Sequence, residues 1–431
     1  MATDISRIAE LAVKHPKLQT LMHCINAENL KEEHQRVKSG KAAGIDGVDK
    51  EEYGRDLDGR ISDLLDRMRR QAYKPMAARR TYIPKDNTGK MRPLGIPTYE
   101  DKLVQGVMAD ILNAIYENDF LDFSYGFRPG RSCHTALREL NSIIQNKKVN
   151  YVVDADIRGF FDNVDHAWLM KFLEHRIQDV NFLRLVSRFL KAGIMEEGKY
   201  YRTDVGTPQG GVISPILANV YLHYALDLWF DRKVRKECRG ECYMIRYADD
   251  FVCCFQYEDD ATDFLKQMKE RLAKFGLEIA EEKTRIIEFG RFAERDRQER
   301  KEGKPETFDF LGLTHYCGKS RDGRFRVKRM TSKKKFRSKV AKMKMWIREN
   351  MHTPINILIT KLNRKLTGHY RYYGITDNSK KISQFYYIAG RQLYKTLKRR
   401  SQTNGWNWEK YERIINTYPI VKPKIYVSIF G

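Results

Sequence analysis

Two adjacent aspartates, Asp249 and Asp250, lie in the hexapeptide "RYADDF" between the apolar runs "CYMI" and "FVCCF". The flanking runs are short and rich in aromatic and β-branched residues, which predicts two strands joined by a tight hairpin turn. Two like charges at the tip of buried strands repel each other, and a bound multivalent cation would neutralise that repulsion. The hexapeptide alone fits a solvated turn equally well, so both interpretations stay open.

A second acidic strand is predicted in "YVVDADIRGFFDNVDH", where Asp154 and Asp156 are separated by a single residue. Residues at this spacing on a strand point to the same face. The pair could simply face water at the end of its strand. Together with Asp249 and Asp250, however, it supplies carboxylates from which a two-cation site for in-line phosphoryl displacement can be built.

The charge of the chain is strongly positive and unevenly distributed. The net charge is +24 at pH 7, and residues 321–400 hold 24 Lys and Arg against 3 Asp and Glu. Such a surplus predicts a nucleic-acid surface in which aromatic residues stack on bases. A solvated basic face or an anionic membrane surface is the alternative, and the lack of a broad apolar helix face argues against a membrane. The interleaved aromatic residues are Trp346, Tyr370, Tyr372, Tyr373, Phe385 and Tyr386.

Length and cysteine content limit the class of protein further. A chain of 431 residues exceeds one small core, so several subdomains are expected. The sequence shows no signal peptide and no run of about 18 apolar residues, which predicts that it does not enter a membrane. Its seven cysteines are scattered and odd in number, which favours a reducing, cytoplasmic compartment.

The pattern along the chain predicts a helical start, a basic hairpin, and alternating helical and extended segments. We expect helices to about residue 75, through most of 99–148, from the acidic strand to about 193, from 258 to 275, and from 330 to 400. The hairpin is predicted in "ARRTYIPKDNTGKMRPLGIP", and short strands around "LEIAEEKTRIIEFG" and "FDFLGLTHY". The highly charged segment 291–305 is predicted to be a solvated loop, and the end of the chain to be irregular.

Several blocks in fixed order resemble a known family. They are "IPKDNTGKMRPLGIP", "SYGFRPGRS", "DADIRGFFDNVDH", "GTPQGGVISPILANVYL", "RYADDF", "LGLEIAEEKT" and "FDFLGL". This series resembles the reverse transcriptases, in particular the reverse transcriptase/maturase encoded by bacterial group II introns. The resemblance implies an α+β right-hand polymerase fold with a helical basic C-terminal region. It divides the chain into an N-terminal helical extension (1–75), fingers (76–148), palm with part of the fingers (149–320) and thumb/maturase region (321–431).

The resemblance also assigns catalytic roles. Asp156, Asp249 and Asp250 match the ligands of two catalytic Mg²⁺ ions, and Asp154 would be a supporting residue at most. Lys85 and Arg92 match residues that hold the nucleoside triphosphate, although a solvated basic hairpin is the alternative.

Further positions match residues around the incoming nucleotide. Phe161 matches an aromatic that excludes a ribose 2′-hydroxyl, unless it is a plain core residue like Phe160. Gln209 matches a nucleotide contact, unless its loop only opens a helix, and Gly210 and Gly211 follow it. Lys283 matches a lysine near the leaving pyrophosphate and is a candidate general acid, although an exposed ion pair would explain it equally well.

The expected function is RNA-directed DNA synthesis coupled to binding and splicing of a structured intron RNA. The implied partners are that RNA, an RNA template with a DNA primer, and deoxynucleoside triphosphates, and no oligomeric state is implied. A domesticated enzyme of phage defence or a CRISPR system, or a splicing cofactor with an unused polymerase site, is the alternative. Family members often add an endonuclease that this sequence lacks, so no second-strand cleavage is expected. Lys333, Lys334, Lys335 and Arg337 are the candidate RNA-binding residues.

Overall fold

The computed structural model describes residues 4–84, 91–207, 210–400 and 407–430. Two predicted site residues, Lys85 and Gln209, lie outside the described residues. Contacts divide the chain into two units. Unit 1 comprises Met1–Ala136, Ala155–Cys253 and Asp259–Arg285, and unit 2 comprises Leu137–Asp154, Cys254–Glu258 and Ile286–Gly431. The four domain ranges expected from the family resemblance remain a prediction.

Helices make up most of the described structure. The α-helices are α1 (Asp4–Lys14), α2 (Ala27–Arg36), α3 (Lys50–Gly54), α4 (Leu57–Arg69), α5 (Tyr99–Tyr116), α6 (Cys133–Asn146), α7 (His166–Glu174), α8 (Val180–Leu190), α9 (Ser214–Leu222), α10 (Arg235–Glu237), α11 (Glu258–Ala273), α12 (Ala293–Glu299), α13 (Lys333–Glu349), α14 (Ile355–Tyr373), α15 (Ser379–Lys398) and α16 (Trp408–Thr417). Short 3₁₀ turns cover Met22–Cys24, Phe160–Asp162 and Glu281–Lys283, and π-helical segments cover His223–Asp227 and Phe230–Val234.

The strands are β1 (Ala78–Pro84), β2 (Met91–Ile96), β3 (Tyr151–Asp156), β4 (Ile194–Glu196), β5 (Lys199–Tyr201), β6 (Cys242–Tyr247), β7 (Asp250–Phe255), β8 (Arg285–Glu288), β9 (Phe308–Phe310), β10 (Leu313–Lys319) and β11 (Phe325–Thr331). In the described residues they form sheets with the orders β2-β1-β4-β5, β6-β7-β3-β8 and β11-β10-β9. Helices and largely antiparallel strands in separate segments confirm the predicted α+β class.

Helix α5 is the central helix of unit 1. The side chain of Thr98 caps it by accepting a hydrogen bond from the backbone N–H of Asp101 at 3.2 Å. Its residues Leu103, Val107, Ile111 and Ile115 are fully buried, and it packs against α1, α2 and α9. Its apolar residues point in every direction, as expected for a helix enclosed by other helices.

The predicted basic hairpin is confirmed in unit 1. Strands β1 and β2 pair in antiparallel register, with Ile83 opposite Arg92. The other edge of β1 pairs in parallel with β4. The hairpin is therefore part of a four-stranded sheet and presents Arg92 as an exposed side chain on its outer strand.

The predicted basic helical region of unit 2 is confirmed as α13, α14 and α15. Two other predictions for this unit were wrong. Residues 293–299 form helix α12 within the segment expected to be a loop, and an i,i+4 ion pair between Arg295 and Glu299 at 3.7 Å supports it. Helix α16 lies in the end expected to be irregular, and Trp408 and Tyr411 at its start pack against Tyr394 at ring distances of 5.0 and 5.3 Å.

Within the described parts of the chain, no helix combines the length and apolar character needed to cross a lipid bilayer.

Candidate active site

The "RYADDF" segment forms the predicted hairpin, with a turn of two residues. Strand β6 ends at Tyr247 and β7 begins at Asp250, so Ala248 and Asp249 form the turn. Ala248 has a φ of +57°, a left-handed conformation that is uncommon for a residue with a Cβ. Asp249 lies half-buried in the turn, and Asp250 is the first residue of β7.

Arg246, the second-last residue of β6, is fully buried and ion-paired. Its guanidinium donates to both carboxylate oxygens of Asp227, at 2.7 Å and 2.5 Å, and neither side chain is exposed. It also donates to Asn219 Oδ1 at 3.1 Å, to Ser124 Oγ at 2.7 Å and to the carbonyl of Ala248 at 3.0 Å. Because the last bond reaches the turn itself, the buried ion pair holds the backbone that carries Asp249.

The sequence contained one signal for this pair that went unused. An arginine inside an otherwise apolar strand must find a partner when it is buried, because an unpaired buried charge is very costly. The partner Asp227 ends a π-helical segment, His223–Asp227, and such widened turns occur frequently at functional sites.

The segment "SYGFRPGRS" packs against the end of β6 and the turn that follows it. Phe123 accepts a hydrogen bond from the N–H of Arg246, and Tyr125 donates one to its carbonyl, both at 2.8 Å. A Cβ added to Gly126 would lie 2.3 Å from the backbone nitrogen of Ala248, so only glycine fits there. This sequence block therefore supports the turn through backbone contact.

Asp156 ends strand β3 and is contacted by the segment that carries Lys283. The N–H of Ala280 donates to the Asp156 carbonyl at 2.8 Å, and the Lys283 ammonium donates to the Asp156 carboxylate. Both side chains are more than a third exposed, at 59% for Lys283 and 38% for Asp156. Lys283 therefore forms an exposed ion pair, as the alternative interpretation of this residue predicted. The partner in that pair is a candidate site carboxylate.

The electrostatics of Asp249 connect the two acidic strands. Burial raises the pKa of Asp249 above its usual value, the Asp156 carboxylate raises it further, and Arg92 and Arg246 oppose the rise. Interactions of this kind act over short distances. The geometry agrees for the two aspartates: β3 and β7 are neighbours in one sheet, and the N–H of Asn150 before β3 donates to the Phe255 carbonyl at the end of β7 at 2.9 Å, so Asp156 and Asp249 lie at the same end of that sheet.

The donor set is chemically suited to a hard divalent cation. Carboxylate oxygens are the preferred ligands of Mg²⁺, and a cation would relieve the repulsion between Asp156 and Asp249. In the observed side-chain conformations, the described residues contain no group of three or more His, Cys, Asp or Glu spaced to hold a metal ion. The assignment of Asp156, Asp249 and Asp250 as metal ligands thus remains a prediction.

Phe161 and Gly210, which the family resemblance places around the incoming nucleotide, both lie at positions fixed by backbone contacts in unit 1. Phe161 is half-buried, whereas its neighbour Phe160 is 2% exposed and provides the core contact. The Phe161 carbonyl accepts from the N–H of Thr207 at 2.8 Å, which fixes the turn that presents the ring. A Cβ on Gly210 would lie 2.6 Å from the Gly95 carbonyl oxygen, so this loop packs on the strand that carries Arg92.

In unit 2, Lys333, Lys334, Lys335 and Arg337 are all exposed at the start of α13. The expectation that the interleaved aromatic residues are stacking partners was wrong for several of them. Tyr370, Phe385 and Tyr373 are 0%, 3% and 5% exposed and form the core between the helices, because helical spacing turns them inward. Trp346, Tyr372 and Tyr386 are only half-buried.

Comparison with known proteins identifies a family that this chain resembles. A family model described as "Reverse transcriptase (RNA-dependent DNA polymerase)" matches residues 83–315. The group II intron-encoded protein LtrA of Lactococcus lactis subsp. cremoris is 30% identical, covering 84% of this chain and 72% of that protein. Protein YkfC of Escherichia coli is 35% identical, covering 57% of this chain and 73% of that protein. A Candida albicans telomerase structure matches with a TM-score of 0.45 and 13% identity, covering 85% of this chain and 65% of that one, which is too weak to carry an argument.

Proposed function

This chain belongs to the reverse transcriptases encoded by group II introns, and we propose that it synthesises DNA at Asp156, Asp249 and Asp250. It is an RNA-directed DNA polymerase with the right-hand polymerase fold, and its substrates are an RNA template and nucleotides. The placement of Asp156 and Asp249 at the same end of the neighbouring strands β3 and β7, where Arg92 of β2 lowers the pKa of Asp249, is the observation that supports this location. The proposal includes a DNA primer, deoxynucleoside triphosphates and a cytoplasmic location.

Reverse transcriptases use divalent metal ions, and two Mg²⁺ bound by these carboxylates would neutralise charge on the attacking hydroxyl and the leaving pyrophosphate. In this proposal Arg92 and Lys85 bind the triphosphate, and Gln209 contacts the nucleotide. In the same proposal, Lys283 orients the Asp156 carboxylate through their ion pair and gives a proton to the leaving pyrophosphate.

A primer-extension assay tests the proposal directly. The purified chain is expected to extend a DNA primer on an RNA template with deoxynucleotides, to stop when EDTA removes Mg²⁺, and to resume when Mg²⁺ is restored. Synthesis that continues in excess EDTA would rule out the metal-dependent mechanism.

We further propose that the basic region of unit 2 binds the intron RNA and assists its splicing. Lysines at the start of a helix are unfavourable for the helix itself, because the macrodipole is positive there. Lys333, Lys334 and Lys335 occupy that position in α13, so their placement favours an anionic partner over helix stability. RNA phosphates fit this charge, and the match to LtrA, named as group II intron-encoded, makes intron RNA the natural candidate.

Charge reversal of Lys333, Lys334, Lys335 and Arg337 is expected to weaken binding of structured RNA and to flatten its salt dependence. Each phosphate contact contributes about −0.9 to the log–log slope for a duplex. Losing several contacts should therefore reduce the slope by several units in a filter-binding titration at four salt concentrations.

A matched control reverses the same number of charges elsewhere in unit 2, at Arg291, Arg295, Lys301 and Lys304 in the charged segment around α12. This control should retain most of the wild-type slope, because only general attraction is reduced. Equal slopes for both quadruple variants would show that α13 does not form a specific phosphate-binding surface.

Replacing Phe161 with alanine is expected to admit ribonucleotides while leaving primer extension with deoxynucleotides largely intact. The half-exposed ring would otherwise occupy the space of a ribose 2′-hydroxyl, and Phe160, not Phe161, fills the core. Single-nucleotide incorporation of each sugar type measures the preference. Phe161→Tyr keeps the ring and should keep the preference for deoxynucleotides, and an unchanged preference in Phe161→Ala would reject the role.

The alternative of a splicing cofactor with an unused polymerase site is less well supported. A disused site has no physical reason to keep Asp249 beside Asp156, since the Asp156 carboxylate raises the pKa of Asp249. No feature of the described residues favours the alternative of a domesticated defence enzyme.

A further inference from the structure

Unit 2 contains a pocket of about 490 Å³ lined by helices α13, α14 and α15, which we call the thumb pocket. Its volume is within the range of small-ligand sites. Its buried lining residues are mainly aromatic, and the lysines that line it, Lys339, Lys342 and Lys365, are exposed. The pocket therefore combines flat apolar walls with a positively charged mouth.

Within the described residues, the lysines of the thumb pocket form no ion pairs with carboxylates. Lys365 lies over the ring of half-buried Trp346, with its Nζ 4.8 Å from the ring centroid. In the part of the chain that the structure describes, neither Lys339 nor Lys342 forms an ion pair with a carboxylate. A cationic mouth of this kind favours an anionic ligand.

His369 in the pocket wall is a buried polar residue, and one of its ring nitrogens lacks a hydrogen-bond partner among the described residues. The side chain is 9% exposed, and its ring stacks on Phe385 with centroids 3.8 Å apart. Among the described residues its Nε2 has no hydrogen-bond partner. Burial lowers its pKa to about 4, so the neutral ring can serve either as donor or as acceptor. A buried polar atom left unsatisfied in a native fold calls for a partner, such as a ligand.

Gly368 leaves one wall of the pocket open. It lies in the middle of α14, where glycine costs about 1 kcal/mol relative to alanine. A Cβ at this position would have no neighbouring atom within 4 Å. A side chain at this position would not clash with the protein, so the effect of glycine here is to leave open space at the pocket.

We propose that the thumb pocket binds a single unstacked nucleobase of RNA, which stacks on Trp346 while Lys339, Lys342 and Lys365 bind the flanking phosphates. The inference rests on the proposed RNA-binding role of unit 2. An acidic peptide could use the lysines, but it would leave the aromatic wall and the neutral His369 without a function. A base supplies a flat face for the aromatic wall and hydrogen-bonding edges for the imidazole.

The test uses an RNA hairpin with one bulged adenosine and the same hairpin with an abasic residue in the bulge. The full-length wild type is expected to bind the adenosine hairpin at least about fivefold more tightly, the range of base–aromatic stacking. Trp346→Ala and Gly368→Leu should each bring that ratio close to one. Gly368→Leu fills the pocket while improving helix propensity, so its loss of preference would not come from unfolding. Thermal melting of each variant checks this.

Tyr387→Ala is the matched control, because Tyr387 is a 60% exposed aromatic on α15 that does not line the pocket. It should keep the wild-type ratio. Equal binding of both hairpins by the wild type would overturn the proposal. It would also be overturned if a polyglutamate peptide displaced the hairpin and Trp346→Ala weakened binding of the peptide as much as binding of the RNA. Primer extension distinguishes failure of the pocket proposal from failure of the proposed RNA-binding role. If the wild type extends primer but binds both hairpins equally, only the pocket proposal is rejected. If the wild type binds neither hairpin, the RNA-binding role of unit 2 is rejected as well.

Discussion

Asp249→Asn and Asp156→Asn are each expected to slow single-turnover DNA synthesis on an RNA template by at least about a hundredfold, because each removes a charged ligand of the catalytic cations. Asparagine keeps the shape of the side chain, so the turn and strand β3 should persist. The ion pair of Asp156 with Lys283 is exposed, and its loss should cost no more than about 1 kcal/mol of folding stability. The lost rate would therefore reflect chemistry.

Asp154→Asn provides the matched control on the same strand. Asp154 precedes Asp156 by two residues on β3 and shares its face, but it was expected to be no more than a supporting residue. Its effect should stay below about tenfold, and all three variants should bind RNA with wild-type affinity. Near wild-type extension by Asp249→Asn or Asp156→Asn would show that the carboxylates are not metal ligands.

Arg246→Met is expected to lower the free energy of unfolding by about 3–5 kcal/mol, because it leaves the carboxylate of Asp227 buried without its partner. It should also reduce primer extension strongly in the folded fraction, since the hydrogen bond to the Ala248 carbonyl is lost. Chemical denaturation measures the first effect, and active-site titration followed by single-turnover extension measures the second.

The double variant Arg246→Met with Asp227→Leu separates stability from positioning. Replacing both members of a buried ion pair by apolar residues is often neutral for stability, so the double variant should recover much of the lost unfolding free energy. It should not recover extension, because no group then binds the Ala248 carbonyl. Full recovery of extension would show that the pair has only a structural role.

An exposed ion pair supplies the comparison for the buried one. Arg235 and Asp231 pair at 2.8 Å with side chains 43% and 34% exposed. Arg235→Met should change the free energy of unfolding by no more than about 0.5 kcal/mol and leave extension unchanged. If Arg235→Met and Arg246→Met lowered the free energy of unfolding by similar amounts, burial of the ion pair would not be the cause of the loss at Arg246.

The local pattern determined several features of this protein without further help. Short runs rich in aromatic and β-branched residues predicted the hairpin at Asp249, and two extended pieces around a polar turn predicted the β1–β2 hairpin; both strand pairs form, the first with a shorter turn than predicted. The order of the sequence blocks predicted the reverse transcriptase family, which the comparisons confirm. These features depend on residues close together in the chain, where side-chain period and turn chemistry act directly.

Where an element is weakly patterned, packing decided whether it forms. Helix α12 forms in a charged segment in which one ion pair, Arg295 with Glu299, has helical spacing, and α16 packs its aromatic residues against Tyr394. Burial of Tyr370 and Phe385 likewise depends on which face of each helix meets its neighbours. Composition counts such residues but does not assign them to a face.

Only the tertiary structure decided how the candidate site is held. Lys283 reaches Asp156 across 127 residues of sequence, and Arg246 contacts Ser124 across 122. Gly126 packs on Ala248 because no side chain fits between the two backbones. The sequence named the aspartates because their chemistry is local and recognisable. The buried ion pair that fixes their turn depends on a partner brought close by folding, since a charge inside the core is stable only where the fold supplies its counter-charge.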